Sequence, residues 1–134
     1  MKRLITAIIA FAASCTASAS GFVPADQAFD FFLSNQSGKV ALVVNVMPGF
    51  ALYREKLVIK GDGATITRLS VPHGEVVNDP ELGASELLTG QVVVTFDVTD
   101  KRKPASNVLI RYMGCKRNDY CYPPQTASLP LVPR

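Results

Sequence analysis

Short apolar runs rich in β-branched and aromatic residues recur along the chain beyond residue 20. Turn signals separate the runs, as at Pro48-Gly49 and at Asn78-Asp79-Pro80. Runs of this length and composition are typical of β-strands. The runs that we predict to be strands are residues 40–46, 56–59, 92–98 and 108–112.

The run 92–98 follows a two-residue period, which is the period of a strand with one buried face. Thr95 and Asp97 are predicted to face away from the core. The predicted core face carries Val92, Val94, Phe96 and Val98. A short helical turn is predicted at residues 24–29. Many short strands between turn signals favour an all-β fold, and we predict a single antiparallel β-sandwich.

The first 19 residues have the three parts of a secretory signal peptide. Lys2 and Arg3 supply a positive start, residues 4–13 form an apolar run, and residues 17–19 form an Ala-Ser-Ala cleavage site. The apolar run is too short for a membrane span, which needs roughly 20 residues. We therefore predict a signal peptide at 1–19 and one secreted domain at 20–134. The alternative is a lipoprotein that begins at Cys15, although Ala-Ala-Ser before it lacks the larger aliphatic residue usual at such sites.

Loss of the signal peptide changes the charge and the cysteine count. The 134 residues contain 14 Lys and Arg against 11 Asp and Glu, and removal of Lys2 and Arg3 lowers the net charge from +3 to +1. So small a charge gives no support for a nucleic-acid partner. Cys15 is removed as well. The remaining pair, Cys115 and Cys121, favours a disulfide in an oxidising compartment.

These two cysteines stand in a segment built to form a hairpin. Gly114 permits backbone conformations that other residues resist, and Pro123 and Pro124 end strand pairing. The five residues between the cysteines can close as a turn, and opposed strand positions bring side chains close enough for a disulfide. We therefore predict a β-hairpin cross-linked by Cys115 and Cys121.

The hairpin and several upstream motifs resemble a known family. The motifs are Gly114-Cys115 to Cys121-Tyr122-Pro123-Pro124-Gln125-Thr126, Phe22-Val23-Pro24-Ala25-Asp26-Gln27-Ala28-Phe29, Pro48-Gly49-Phe50-Ala51-Leu52-Tyr53-Arg54 and Pro72-His73-Gly74. Together they are similar to the N-terminal periplasmic domain of DsbD-type thiol:disulfide interchange proteins. The resemblance covers nearly all of the chain after the signal peptide. It implies a periplasmic domain with an immunoglobulin-like fold and an active-site hairpin.

The resemblance also implies a chemistry for the cysteines. A thioredoxin-like electron donor would reduce the Cys115-Cys121 disulfide, and the dithiol would then reduce periplasmic partner proteins, cytochrome c biogenesis being one implied setting. In the family the second cysteine forms the mixed disulfide and the first resolves it, which assigns these roles to Cys121 and Cys115. Thiolate attack suffices for this exchange, so we expect no metal and no organic cofactor. The sequence contains neither a transmembrane electron-carrying domain nor a thioredoxin-like domain, and we expect a monomer that takes electrons from a separate protein.

The predicted surroundings of the disulfide depart from the family in two places. Lys116 and Arg117 stand where the family spacer is usually small or acidic, and we hypothesise that they favour the thiolate form unless they simply point into water. Leu82 stands where the family presents aromatic residues over the disulfide, so we expect it to shield the bridge; a core position is the alternative. The full predicted set is Tyr53, Asp79, Glu81, Leu82, Gly83, Lys116, Arg117, Tyr120, Tyr122 and Pro123.

Two other functions remain open. The first is a secreted immunoglobulin-like binding module whose disulfide is structural, because a fold alone implies no function. The second is a periplasmic Cu(I)-binding protein that uses the soft sulfurs of Cys115, Cys121 and Met113. His73 is the only histidine, which excludes a site with several histidine ligands. A reduction potential separates a redox relay from a binding module, and a metal titration tests the copper alternative.

Overall fold

A computed structural model describes residues 21–36, 39–80, 83–99 and 106–131. The predicted signal peptide, the predicted shield residue Leu82 and its neighbour Glu81 lie outside these ranges. Within them no helix is long and apolar enough to cross a membrane. The elements in chain order are α1 (Ala25–Ala28), β1 (Phe29–Gln36), β2 (Lys39–Val46), β3 (Phe50–Tyr53), a 3-10 helix (Arg54–Lys56), β4 (Val58–Asp62), β5 (Thr65–Ser70), β6 (Glu75–Asp79), β7 (Gly83–Leu88), β8 (Gln91–Thr99), β9 (Asn107–Tyr112), β10 (Gly114–Lys116), β11 (Tyr120–Cys121) and β12 (Gln125–Pro130).

In the part of the chain that the structure describes, the strands form three antiparallel sheets. Sheet A has the order β1-β2-β8-β5, sheet B the order β11-β10-β3-β7-β6, and sheet C the order β12-β9-β4. All the paired strands of the described residues run antiparallel. The predicted all-β, immunoglobulin-like antiparallel sandwich is confirmed. Sheet B carries the cysteine hairpin at one edge and β6 at the other.

The predicted strands agree with the structure except at one end. β2, β8 and β9 begin and end within one residue of their predicted limits, and α1 occupies the predicted helical turn. The prediction of a strand from residue 56 was wrong, because the Leu57 amide donates to the Arg54 carbonyl and closes a 3-10 turn through Lys56. The strand there begins at Val58 instead.

The main core lies between the inner faces of the sheets. Val92, Val94 and Phe96 are 3%, 0% and 1% exposed, as their alternation predicted, and Val98 is half-buried against the same core. Burial of one such side chain contributes about 1.5 to 3 kcal/mol. Phe29, at the start of β1, is fully buried and extends this core to the cysteine hairpin.

Candidate functional site

The two cysteines face each other across a short hairpin. β10 and β11 pair with Cys115 opposite Cys121 and Lys116 opposite Tyr120. A disulfide joins the cysteines, whose Cα atoms are 3.9 Å apart. In the turn, Asn118 has a φ of +61°, a conformation that asparagine adopts more readily than most residues. The structure therefore contains the cross-linked hairpin that the spacing predicted.

Gly114 allows this hairpin to lie directly on the core. A Cβ atom at this position would meet the Ala51 carbonyl oxygen at 2.8 Å and would overlap the ring of Phe29. β10 pairs with β3 at this point, with Gly114 opposite Leu52. A residue with a side chain would push β10 away from β3, so the glycine fixes where Cys115 sits.

The two cysteines differ in their exposure to solvent. Cys115 is 8% exposed and packs in a small cluster with Ala51, Tyr53 and Leu87. Cys121 is exposed and lies in β11, an edge strand of only two residues. A thiolate from another protein therefore has a more open approach to Cys121 than to Cys115.

A tyrosine hydroxyl connects the buried cysteine to a carboxylate. The Tyr53 hydroxyl lies 3.3 Å from Cys115 Sγ and donates to Asp79 Oδ2 at 3.0 Å. The disulfide sulfur carries no proton, so the single hydroxyl proton is directed to the stronger acceptor, the carboxylate. When Cys115 leaves as a thiolate, the same hydroxyl is placed to donate to it.

A cavity of about 630 Å³ opens beside the disulfide and brings half of the predicted surrounding residues together. Both cysteines line it. The predicted residues that also line it are Tyr53, Asp79, Lys116, Arg117 and Tyr120. Tyr122 and Pro123 instead border a second groove, beside the N-terminal segment. Gly83 is exposed and pairs with Asp79 at the end of the β6-β7 ladder, with a φ of +77°.

The two cations of the hairpin each have an acidic neighbour. Lys116 Nζ lies 3.3 Å from a carboxylate oxygen of Asp119, and Arg117 lies 3.2 Å from one of Glu75. Lys116 also lies 5.9 Å from the centre of the Tyr120 ring. An adjacent carboxylate offsets the effect of a cation on a nearby thiol. The effect of Lys116 and Arg117 on the cysteines is therefore expected to be smaller than their charges alone suggest.

Tyr120 and Tyr122 tie the hairpin to the N-terminal segment. The Val23 amide donates to the Tyr120 hydroxyl at 2.9 Å, and the Tyr122 hydroxyl donates to the Val23 carbonyl. Burial raises the pKa of Tyr122, and a hydrogen bond with Tyr120 raises it further. The sequence predicted both tyrosines near the cysteines but gave no sign of their link to Val23, which joins residues 97 and 99 positions apart.

A second interaction that the sequence did not indicate fixes the segment before β6. Glu86 Oε2 accepts from the Gly74 amide at 3.1 Å and lies 3.3 Å from His73 Nδ1. The Gly74 hydrogen bond is the largest cause that lowers the pKa of Glu86; burial opposes it, and His73 and Arg54 lower it further. Arg54 also donates to the carbonyls of Val71 and Pro72. His73 thus contributes to a loop anchor.

The donor atoms near the disulfide do not form a conventional metal site. In the described ranges, no group of three or more His, Cys, Asp or Glu is arranged to hold a metal ion. Met113 is half-buried and packs against the cluster that contains Cys115. Of the three sulfurs of the copper alternative, those of Cys115 and Cys121 are joined as a disulfide.

Comparison with known proteins decides the family. The family model "Thiol:disulfide interchange protein DsbD, N-terminal" matches residues 19–133. The chain belongs to this family. It is 36% identical over 110 residues to DsbD of Photorhabdus laumondii and 37% identical over 112 residues to DsbD of Klebsiella pneumoniae, matches that cover 82% and 84% of the chain. The chain spans only 19% of the length of each of these DsbD proteins.

Solved structures support the same fold for this DsbD-family domain. The reduced N-terminal domain of Neisseria meningitidis DsbD superposes with a TM-score of 0.72 at 22% identity, over 83% of this chain and 90% of that one. The same domain in a complex with the PilB N-terminal domain gives a TM-score of 0.70 at 21% identity, over 84% and 88% of the two chains.

Proposed function

We propose that the protein is a periplasmic thiol:disulfide interchange domain that relays electrons through Cys115 and Cys121. The observation that carries the proposal is the asymmetry of the disulfide. Its exposed sulfur, on Cys121, can be attacked by a partner, and its buried sulfur, on Cys115, lies beside the Tyr53 hydroxyl. A disulfide that only stabilises a fold needs neither an open sulfur on one side nor a hydrogen-bonding group beside the sulfur on the other side.

In the reductive step, a thiolate of a thioredoxin-like donor attacks Cys121 Sγ. The bond between the two cysteines breaks, Cys115 leaves as a thiolate and takes up a proton, and a mixed disulfide joins the donor to Cys121. The second thiol of the donor then breaks the mixed disulfide. Two electrons and two protons have passed to Cys115 and Cys121, and the donor is left as a disulfide.

In the second step, the Cys121 thiolate attacks a disulfide of a periplasmic partner protein. Cys115 then attacks Cys121 Sγ, so that the partner leaves with two thiols and the Cys115-Cys121 disulfide is restored. The domain acts as a partner-dependent protein-disulfide reductase that uses no cofactor. The complex of the Neisseria DsbD N-terminal domain with a PilB domain supports the view that domains of this fold bind other proteins.

The proposal includes residues at the N-terminus and over the disulfide. Residues 1–19 act as a cleaved signal peptide that delivers a monomeric domain, residues 20–134, to the periplasm. Asp79, Glu81, Leu82 and Gly83 form a lid that opens when a partner binds, as lids over reactive centres commonly do. The position of Asp79 and Pro80 on the wall of the cavity supports this role for the segment that follows them.

The reduction potential of the Cys115-Cys121 pair tests the relay. The protein is equilibrated in dithiothreitol or glutathione redox buffers and quenched by alkylation, and the fraction reduced is read by mass. A potential between about −180 and −270 mV is expected for an exchange protein, whereas a value below about −300 mV would mark a structural bridge. That lower value would favour the binding-module alternative.

The assignment of roles needs two matched variants. Cys115→Ala leaves Cys121 without its resolving partner and is expected to accumulate mixed disulfides with periplasmic proteins. Cys121→Ala keeps only the buried thiol and is expected to accumulate at least tenfold less. Equal trapping by the two variants would contradict the assignment of Cys121 as the attacking cysteine.

A further inference from the structure

The N-terminal segment of the described chain is bound to the strand that carries Cys121. We call residues 21–23 the strap. The Val23 amide donates to the Tyr120 hydroxyl, which in turn donates to the Gly21 carbonyl at 3.4 Å, and the Tyr122 hydroxyl donates to the Val23 carbonyl. Phe22 stacks on Tyr120 with ring centres 5.1 Å apart and meets Tyr122 edge-on at 6.0 Å. The two tyrosines that flank Cys121 are therefore both held by the strap.

This strand is also held by side-chain packing, because Tyr122 is buried in the core against Phe29 and Phe50 and Tyr120 is partly buried against the same core. Its backbone has few partners. β11 contains two residues and lies at the edge of sheet B, where β10 is its one strand partner among the described residues. Beyond that pairing, the Tyr122 amide donates to the Gly114 carbonyl at 2.9 Å, and the disulfide forms the covalent link. When the disulfide is reduced, the covalent link is lost. The strap, the packing of the two tyrosines and the backbone pairing with β10 then hold Cys121 opposite Cys115.

We propose that the strap positions Cys121 in the dithiol state and thereby sets the reduction potential of the pair. Tyr120, Tyr122 and Phe22 are the positioning residues, and none of them takes part in the exchange. The inference rests on the proposed function for its biological meaning, whereas the equilibrium that it concerns is a property of the hairpin itself. The reaction is the reduction of the disulfide by dithiothreitol, in which two electrons and two protons pass to the cysteines and dithiothreitol becomes a cyclic disulfide.

The direction of the effect follows from the freedom of the reduced hairpin. Two thiols held face to face form a disulfide more readily than two thiols that move apart, because the entropy of bringing them together has already been lost. Without the strap, β11 gains freedom in the reduced form but not in the oxidised form, where the bridge still holds it. The reduced form is stabilised, and the disulfide becomes easier to reduce.

The test uses the full chain with Tyr120→Phe and, separately, Phe22→Ala. Phe22 is 70% exposed, so its truncation does not leave a cavity in the core. Each variant is expected to shift the equilibrium with dithiothreitol threefold to tenfold toward the dithiol, which raises the potential by about 15 to 30 mV. The matched control is Tyr112→Phe, which removes the hydroxyl of another buried tyrosine, on β9, and is expected to leave the potential unchanged.

A second measurement separates positioning from a general loss of stability. Hydrogen exchange at the Tyr122 amide is measured in both redox states. In the strap variants it is expected to accelerate in the reduced protein and to match the unsubstituted protein in the oxidised state. General destabilisation would instead accelerate exchange in both states, and that result would overturn the proposal.

An unchanged or lowered potential in both strap variants would also overturn it. The result is independent of the relay. If the potential of the unsubstituted protein lies below about −300 mV, the proposed function fails, and the difference between this protein and its strap variants still decides whether the strap positions Cys121.

Discussion

Arg117, at the tip of the cysteine hairpin, pairs at 3.2 Å with Glu75, the first residue of β6 at the opposite edge of sheet B. The two side chains are 40% and 58% exposed. Exposed ion pairs contribute about 1 kcal/mol or less to stability. We therefore expect the effect of this pair to be on the charge beside the cysteines, with little effect on folding.

The first prediction uses this pair to test the charge at the thiols. Glu75→Gln leaves the Arg117 cation without its carboxylate, which should favour the thiolate and lower the pH midpoint of Cys121 alkylation in the reduced protein. Arg117→Gln should raise that midpoint. Arg68→Gln, which breaks a surface pair with Asp97 on sheet A, is the control and should have no effect. Identical midpoints in all four proteins would reject the hypothesis that the hairpin cations favour the thiolate.

The second prediction concerns the Tyr53 hydroxyl. Tyr53→Phe removes the donor that lies 3.3 Å from Cys115 Sγ, and we expect the attack of dithiothreitol on the disulfide to slow about tenfold, because a hydrogen bond to a charged group contributes about 1.5 kcal/mol or more. Asp79→Asn keeps the hydroxyl and should slow the reaction less. The measurement is a stopped-flow rate over pH 6 to 9, a range in which dithiothreitol ionises. A rate unchanged by Tyr53→Phe would show that the hydroxyl does not assist the departure of Cys115.

The third prediction concerns the close approach at Gly114. Gly114→Ala should lower the free energy of unfolding by about 1 to 3 kcal/mol, as overpacking of a filled site commonly does. Because the added methyl overlaps the Phe29 ring, Phe29→Leu in the same chain should recover part of that loss. Denaturant unfolding of the two single variants and the double variant gives the coupling free energy between the two substitutions. If the two losses of unfolding free energy simply add, the destabilisation by Gly114→Ala comes from the backbone contact and not from the clash with the Phe29 ring.

The fourth prediction concerns the lid. If Leu82 shields the disulfide, Leu82→Ala should speed reduction by small thiols such as glutathione while leaving the reduction potential unchanged. Leu88→Ala is a useful contrast, because Leu88 is a core residue whose truncation should lower stability by about 2 to 5 kcal/mol. A loss of stability of that size in Leu82→Ala, with no faster reduction, would assign Leu82 to the core.

The fifth prediction is a pH dependence. The pKa of Glu86 in the folded protein lies below its ordinary value of 4.5, chiefly because its carboxylate accepts from the Gly74 amide. The unfolded state therefore binds more protons in this range, so the stabilisation is present above about pH 4.5 and is lost as the pH falls through the folded pKa. Glu86→Gln should flatten this part of the profile of unfolding free energy. His73→Asn should flatten it less, because the Gly74 hydrogen bond remains.

The sequence predicted the strands whose own residues determine their conformation. β2 and β8 contain four valines each, and β9 carries the apolar run Val108-Leu109-Ile110, so their strand form needs little help from neighbours. β7, with the sequence Gly-Ala-Ser-Glu-Leu-Leu, has no such composition and is a strand because it pairs with β3 and β6. β1 was not predicted, although its phenylalanines suit a strand and it pairs with β2 along its full length.

The same distinction applies to the site. The cross-linked hairpin follows from residues that lie six positions apart, and its spacing was sufficient to predict it. Tyr53 and Asp79 could be placed only through resemblance to a family. The Arg117 pair and the contacts of Val23 join residues 42 and 97 positions apart, and no local pattern indicates such contacts.

The separation of Gly21–Val23 from Tyr120 has a meaning for the order in which the protein matures. A bond between cysteines six residues apart needs only a short loop to close, which an unfolded chain does readily. Contacts across 97 residues form only when the sandwich around them is complete. The disulfide can therefore form early in folding, whereas its reactivity reaches the native value only after the contacts of Tyr120 have formed. The reactivity of the cysteine pair would then report whether the domain has folded completely, and an alkylation experiment could measure it.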